Sequence, residues 1–241
     1  MKPTLMLLPG LNCDAAVWAP QVEALQGRFN CIIPDWGVLN NFQAMAEQVM
    51  ALSPTDTFCV AGHSMGGRVA CELMRLAPHR IDRLALLDTG THTLPAGAAG
   101  EKERQGRMAL LDLAKQKGMR AMGQQWGQGM VHPSRLNSDV FEAVLKMLER
   151  GSAAQFAAQI NALLTRPDAA PVLSTITCPT LVLCGREDGW SPPAQHEAMY
   201  QTIKASGLAQ VALVIIEHCG HMCTMEQPQA VNQALLEWLN V

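Results

Sequence analysis

The sequence predicts an α/β fold: a mostly parallel sheet of about six strands, helices on both faces, and a small helical cap inserted after the strand that ends near Asp88. Short apolar runs alternate with segments of helical periodicity, which is typical of a parallel sheet with crossover helices. This alternation stops once, in the middle of the chain. At 241 residues, with 49% hydrophobic and 16% charged residues, the chain is long and apolar enough for one globular domain with a full core.

The six predicted strands share short apolar runs that end at turn-forming residues, at 4–8, 30–33, 58–61, 83–87, 180–184 and 210–216. Between and after them, apolar residues at helical spacing predict helices at 15–25, 42–52, 68–76, 193–206 and 226–239. This order of elements predicts right-handed crossovers between neighbouring parallel strands.

The alternation is interrupted between residues 94 and 172, where helical spacing predicts four helices near 101–117, 119–128, 138–149 and 152–164. We interpret 94–172 as a helical cap over the carboxyl ends of the strands, and 1–93 with 173–241 as the core of one domain. An ordinary helical layer with no role at the site is the alternative. Methionines in this region either line an adaptable apolar pocket or pack the cap on the core.

The motif Gly62-His63-Ser64-Met65-Gly66 joins a predicted buried strand directly to a predicted helix. This context is typical of a nucleophile elbow, in which a sharp, strained turn exposes the serine hydroxyl. Side chains at Gly62 and Gly66 would collide with the neighbouring strand and helix. We therefore predict Ser64 as a nucleophile and the backbone N–H of Met65, at the start of the helix, as an oxyanion donor. A glycine-rich strand–helix turn without chemistry is the alternative.

A serine nucleophile needs a base within hydrogen-bond reach and an acid that orients the base. His221 follows the last predicted strand and Asp188 follows the preceding one, so both belong at the carboxyl edge of the sheet. His218 is the alternative base, and Asp88, at the end of the strand after the elbow helix, is the alternative acid. The loop that leads from Gly185 into Trp190-Ser191-Pro192 favours Asp188. His63 is expected to have a structural role.

Four motifs occur in an order that resembles the α/β-hydrolase superfamily over nearly the whole chain: Leu8-Pro9-Gly10-Leu11, Gly62-His63-Ser64-Met65-Gly66-Gly67, Gly185-Arg186-Glu187-Asp188 and Gly220-His221-Met222. The resemblance implies that the backbone N–H of Leu11 is the second oxyanion donor. Many relatives have His-Gly where this chain has Pro9-Gly10, but the donor is a main-chain group. The compact, capped form looks most similar to enol-lactonases and small carboxylesterases.

These motifs predict a serine hydrolase that cleaves a carboxylic ester or lactone through an acyl-serine, with no cofactor and no metal ion. The same three side chains also support thioester or C–C bond hydrolysis, lyase or perhydrolase chemistry, so these alternatives stay open. An alternative from another class is a ligand-binding sensor that keeps the fold with little turnover. The expected substrate is a small, mostly apolar molecule.

Composition limits the partners and the compartment. A net charge of −3 gives no basic surface for nucleic acid or an acidic membrane. No apolar stretch is long enough to span a bilayer, and the first apolar run is interpreted as a strand, so a cytoplasmic protein with eight free thiols is expected. The segment from His218 to Cys223 has no partner pair at zinc spacing, so no metal site is predicted. His92, His132 and His196 are expected at the surface. A monomer and a homodimer are both compatible with the sequence.

Overall fold

The protein contains one sheet of six parallel strands, which confirms the predicted fold class. The computed structural model describes residues 2–240. The strands are β1 (Thr4–Leu8), β2 (Asn30–Ile32), β3 (Phe58–His63), β4 (Ile81–Leu87), β5 (Thr180–Gly185) and β6 (Val211–Ile216). Their order across the sheet is β2-β1-β3-β4-β5-β6, so β3 lies near the centre. All residues of β1, β3 and β5 are buried, as expected for strands covered by helices on both faces.

Parallel pairing brings the strand ends that carry the motifs to one edge of the sheet. Leu8 pairs with Gly62, and His63 pairs with Leu87. On the other side of β4, Gly185 pairs with Ile216. The loops that follow β1, β3, β4, β5 and β6 therefore leave the sheet at one edge, where ligands bind in open parallel sheets.

Eleven α-helices occur in residues 2–240: α1 (Ala19–Leu25), α2 (Phe42–Leu52), α3 (Met65–Leu76), α4 (Ala98–Lys117), α5 (Met119–Trp126), α6 (Asp139–Arg150), α7 (Ala153–Leu164), α8 (Ala170–Leu173), α9 (Pro193–Ser206), α10 (Cys223–Glu226) and α11 (Pro228–Leu239). None of these helices is long and apolar enough to cross a membrane.

Two predicted helices are divided where proline interrupts them. The helix expected over 15–25 begins as a 3₁₀ helix at Ala15–Trp18 and continues as α1, with Pro20 in its first turn. At the C-terminus, Pro228 starts α11 after the short α10. Proline has no N–H and its ring excludes the preceding turn of a helix, so it is tolerated only where a helix begins.

Helices α4 to α8 lie between β4 and β5, and residues of α6, of α7 and of the segment after α5 contact loops at the carboxyl edge of the sheet. The backbone N–H of Asn12, after β1, donates to Oε1 of Gln159 in α7 at 2.7 Å. The side chain of Asn12 donates to the carbonyl of Leu148 in α6 at 2.9 Å. After β6, the N–H of His221 donates to the carbonyl of Met130 at 2.8 Å. These bonds support the cap interpretation, and its boundaries at 94 and 172 stay a prediction.

The methionines of the insertion mostly pack into the core rather than face an open pocket. Met119, Met122, Met130 and Met147 are all buried, with at most 8% of their surface exposed. Met108 is the exception, at 41%. Burial therefore favours packing over an open pocket for most of these methionines, although Met147 also lines a surface groove.

Candidate active site

Ser64 lies on a strained turn between β3 and α3. Its backbone has a φ of +54°, a left-handed conformation that non-glycine residues rarely adopt. A Cβ on Gly62 would collide with the carbonyl of Gly66, and a Cβ on Gly66 would collide with the carbonyl of Leu8. Both glycines are therefore required by close backbone approach, as the motif predicts.

Ser64, His221 and Asp188 form a continuous chain of hydrogen bonds. Oγ of Ser64 lies 2.8 Å from Nε2 of His221. Nδ1 of His221 lies 2.8 Å from Oδ2 of Asp188. The other carboxylate oxygen of Asp188 accepts the N–H groups of Trp190 and Ser191, each at 2.9 Å. The acid is thus fixed from both sides, in the arrangement that orients a histidine base toward a serine.

The electrostatics of His221 favour its protonated form. Burial lowers the pKa of His221, but the charge of Asp188 and its hydrogen bond to Nδ1 outweigh that effect, so the pKa lies above the ordinary value for histidine. Asp188 and His221 are only 2% and 4% exposed, so bulk solvent screens their interaction little. An imidazolium formed during a reaction is therefore stabilised where it forms.

Asp88, the alternative acid, is fully buried and does not bond to the imidazole of His221. Its carboxylate accepts the N–H of Gly185 at 3.0 Å and the N–H of Cys223 at 3.1 Å. Burial raises the pKa of Asp88, but the neighbouring imidazoles of His63 and His221 outweigh it and leave the pKa below the usual range. Asp88 therefore links the backbone at the end of β5 to the backbone after His221.

The remaining histidines have different surroundings. Nε2 of His63 is 2.7 Å from the carbonyl oxygen of His221, so His63 holds the base through its main chain. His218 is exposed, and so is His92. The prediction of a surface position was wrong for His196, which is fully buried and accepts the N–H of Thr89 at 3.1 Å. α9 is polar in composition, but it turns this one histidine toward the sheet.

The backbone N–H groups of Leu11 and Met65, predicted as oxyanion donors, belong to the segments next to Ser64, and their role stays a prediction. Met65 is the first residue of α3, so its N–H lies at the positive end of the helix. Leu11 follows Gly10, and a Cβ on Gly10 would lie 3.3 Å from Cβ of Ser64. Within residues 2–240, neither N–H donates to another protein group. Both remain available for an oxygen atom bound next to the serine.

Glu226 is a residue of the site that sequence reasoning missed. One carboxylate oxygen accepts the N–H groups of Gly220 and Met222, at 3.0 and 3.2 Å, and the other accepts the N–H of His132 at 2.7 Å. Burial raises the pKa of Glu226. This side chain shapes the turn around His221 and ties it to the insertion. The sequence places Glu226 at the start of the helix predicted over 226–239, a position that gives no signal for such a role.

Aromatic rings cover one side of the base. The ring centroid of Trp190 lies 4.9 Å from that of His221. Trp190 also stacks on Trp126 of α5, with 5.4 Å between the ring centroids. The ring centroids of Trp126 and of Phe156, in α7, are 5.7 Å apart. The insertion and the loop after β5 therefore share an apolar wall next to the imidazole. Trp190 is 38% exposed, so part of this wall is open to a ligand.

A groove with a volume of about 340 Å³ is lined in part by Asn12, the residue that follows Leu11. Its lining includes Asn12, Asp14, Arg150, Gln155 and Gln159, and is more polar than the aromatic wall. Arg150 and Asp14 pair with each other at 2.6 Å across the groove. Asp35 adds a second carboxylate to the lining, and the amides of Asn12, Gln155 and Gln159 make hydrogen bonds within the protein.

Comparison with known proteins identifies the family. A family model described as the alpha/beta hydrolase family matches residues 5–234. The chain belongs to this family. The order β2-β1-β3-β4-β5-β6, the turn at Ser64 and the positions of Asp188 and His221 are those expected of an alpha/beta hydrolase.

Relatives and solved structures of this family are similar over nearly their whole lengths. The chain is 28% identical to a thermophilic esterase from Thermogutta terrifontis, with a TM-score of 0.87, covering 99% of this chain and 91% of the esterase. It is 27% identical to the 2-hydroxy-6-oxononadienedioate/2-hydroxy-6-oxononatrienedioate hydrolase of Escherichia coli K12, over 98% of this chain and 86% of that protein. The enol-lactonase from Burkholderia xenovorans LB400 shares the fold, with a TM-score of 0.81, 20% identity and coverage of 100% and 93%. This alpha/beta hydrolase is therefore a hydrolytic enzyme.

Proposed function

We propose that this alpha/beta hydrolase cleaves a small carboxylic ester or lactone through an acyl-serine intermediate. The observation that carries the proposal is the unbroken chain of hydrogen bonds from Ser64 through His221 to Asp188, with both distances at 2.8 Å. A serine hydroxyl becomes an effective nucleophile when a positioned base accepts its proton as it attacks. His221 makes every proton transfer that this reaction needs, and backbone N–H groups donate to the oxyanion.

In the first half of the reaction, Oγ of Ser64 attacks the carbonyl carbon while Nε2 of His221 takes the hydroxyl proton. The carbonyl oxygen becomes an oxyanion, which accepts hydrogen bonds from the N–H groups of Leu11 and Met65. His221 then gives its proton to the leaving alkoxide, the bond to the alcohol breaks, and an acyl-serine remains. In a lactone the alcohol stays attached to the acyl group.

In the second half, His221 takes a proton from water as the water oxygen attacks the acyl carbon. The same two N–H groups hold the second oxyanion, and His221 returns the proton to Oγ of Ser64 as the acid leaves. Asp188 remains ionised throughout. It fixes the tautomer of His221 and stabilises the imidazolium, consistent with its two backbone donors and full burial.

The esterase of Thermogutta terrifontis supports an ester substrate, since its identity of 28% is distributed over nearly the whole chain. The aromatic wall of Trp126 and Trp190 favours an apolar acyl group next to His221. A sensor without turnover would need neither the strained Ser64 nor an oriented base, so the geometry disfavours that alternative.

A fluorophosphonate probe tests the proposal directly. The phosphorus of this probe reacts with an activated serine, fluoride leaves, and a stable adduct forms. We expect one adduct per chain, on the peptide that contains Ser64, and hydrolysis of p-nitrophenyl esters from acetate to octanoate with an optimum at a short chain length. Heat-unfolded enzyme is the control, because it retains the serine without its base. A folded enzyme that stays unlabelled at Ser64 and turns over no ester would contradict the proposal.

The raised pKa of His221 predicts the pH dependence of ester hydrolysis. His221 acts as a base only when neutral, so kcat/KM falls as pH decreases through the pKa of the free enzyme. Because Asp188 raises this pKa, the midpoint of the acidic limb is expected above about pH 6.5, the ordinary value for histidine. Initial rates with p-nitrophenyl acetate across this range measure the midpoint. A midpoint of the acidic limb well below pH 6 would show that a group other than His221 controls kcat/KM.

A further inference from the structure

Three side chains that commonly bind metal ions converge outside the hydrogen-bond chain of Ser64. They are His132 of the insertion, Glu187 in the loop after β5 and His218 in the loop after β6. One nitrogen of each imidazole and one carboxylate oxygen of Glu187 all lie within 4.8 Å of one another. The three residues come from distant parts of the sequence, so the fold alone assembles the cluster.

Hydrogen bonds support the side chains of Glu187 and His132 in this cluster. The N–H of Cys219 donates to Oε2 of Glu187 at 2.9 Å. Oγ of Ser134 lies 2.7 Å from Nδ1 of His132, and the backbone N–H of Ser134 donates to the same nitrogen at 3.2 Å, so these contacts fix the orientation of the imidazole. The imidazole of His218 lies edge-on to that of His132, with 6.0 Å between the two ring centroids. Such supporting hydrogen bonds to histidine and carboxylate ligands are typical of metal sites.

We propose that His132, Glu187 and His218 bind one Zn²⁺ ion, with water as the fourth ligand. Two imidazoles and one carboxylate suit zinc, whereas Mg²⁺ and Ca²⁺ prefer ligand sets made of oxygen alone. Bond lengths of 2.0–2.2 Å place tetrahedral ligand atoms about 3.4 Å apart, so the three groups must close together on binding. Glu187 and His218 are exposed, which leaves their side chains free to make this movement.

The proposed ion links three segments that form the active site. Glu187 immediately precedes Asp188, His218 lies three residues before His221, and His132 belongs to the insertion. Because zinc would cross-link these segments in the folded state, it is expected to stabilise the folded enzyme. The ion lies outside the chain from Ser64 to Asp188, so the proposal is independent of the proposed hydrolysis.

Calorimetric titration of ZnCl₂ into enzyme that has been treated with EDTA and dialysed tests the site. We expect one Zn²⁺ per chain in the wild type, and a Tm that rises by roughly 5–10 °C at a Zn²⁺ concentration about 100 times the Kd. His132→Ala and His218→Ala are each expected to weaken binding by at least about 100-fold, because even supporting partners of a ligand contribute 10- to 100-fold. His79→Ala, which removes an exposed histidine elsewhere, is the matched control and should bind like the wild type.

The proposal is overturned if the wild type shows no saturable one-to-one binding, or if His132→Ala and His218→Ala bind Zn²⁺ as tightly as His79→Ala. The metal-free Tm of each variant shows whether it is folded, and Glu187→Gln provides a third test that keeps the size of the side chain. Fluorophosphonate labelling of the EDTA-treated wild type separates the two proposals. Labelling without zinc, together with the expected titrations, supports both, whereas labelling with no zinc binding overturns only the metal site.

Discussion

Replacing Ser64 by alanine is expected to reduce kcat for ester hydrolysis by about 10⁶-fold, the order of loss found when a serine hydrolase loses its nucleophile. The substitution removes the Oγ atom that lies 2.8 Å from Nε2 of His221. The imidazole then has no hydroxyl from which to take a proton. Steady-state rates with a p-nitrophenyl ester measure the loss. The KM should change much less, since Oγ contributes mainly to the transition state.

A serine elsewhere provides the control for Ser64→Ala. Ser174 is exposed after α8, so Ser174→Ala should have the activity of the wild type. The free energy of unfolding of both variants, measured in urea, shows that the fold is retained. Activity of Ser64→Ala within a hundredfold of the wild type would place the nucleophile at another residue.

Replacing Asp188 by asparagine is expected to reduce kcat by about 10⁴-fold, because an amide lets His221 adopt the wrong tautomer. Asp88→Asn is expected to have a smaller effect on kcat, since Asp88 does not bond to the imidazole. Asp88→Asn is expected to lower stability instead. The amide NH₂ would replace one carboxylate oxygen and would face the N–H of Gly185 or of Cys223, so that backbone donor would lose its acceptor. Leaving one buried donor unpaired costs about 1–3 kcal/mol of the free energy of unfolding.

The two asparagine variants control for each other, since each makes the same chemical change at the end of a parallel strand. Rates and urea midpoints, measured side by side, separate the catalytic effect from the structural one. A large loss of kcat in Asp88→Asn combined with a nearly active Asp188→Asn would transfer the role of the acid to Asp88.

Local patterns in the sequence predict the elements of this fold well. The spacing of apolar residues predicts the inserted helices α4 to α7 and the six strands to within a few residues, because each pattern reflects which side of an element is buried. The predicted strand at 58–61 continues to His63, so two residues of the motif belong to β3 itself. The order of strands across the sheet depends on long-range pairing, which local periodicity does not encode.

The site was predictable where one motif specifies one backbone geometry. The turn at Ser64 is such a case, because its glycines are required by contacts within the motif and with the neighbouring strand. The choice between Asp88 and Asp188 depends on distances to His221 between residues far apart in the chain, so the sequence left both open. The burial of His196 and the approach of His132 to Glu187 depend on tertiary packing in the same way.

The anchoring of Asn12 to two inserted helices has a consequence for protein engineering. Asn12 follows Leu11, and its backbone and side chain are held by Gln159 and by the carbonyl of Leu148. Exchanging residues 94–172 for the corresponding segment of a relative, in order to change substrate preference, would remove the side chain of Gln159 and reposition the carbonyl at position 148, both of which hold the loop beside the nucleophile. A chimera that keeps a glutamine at position 159 and the turn after α6 should retain more turnover than one that exchanges the whole segment.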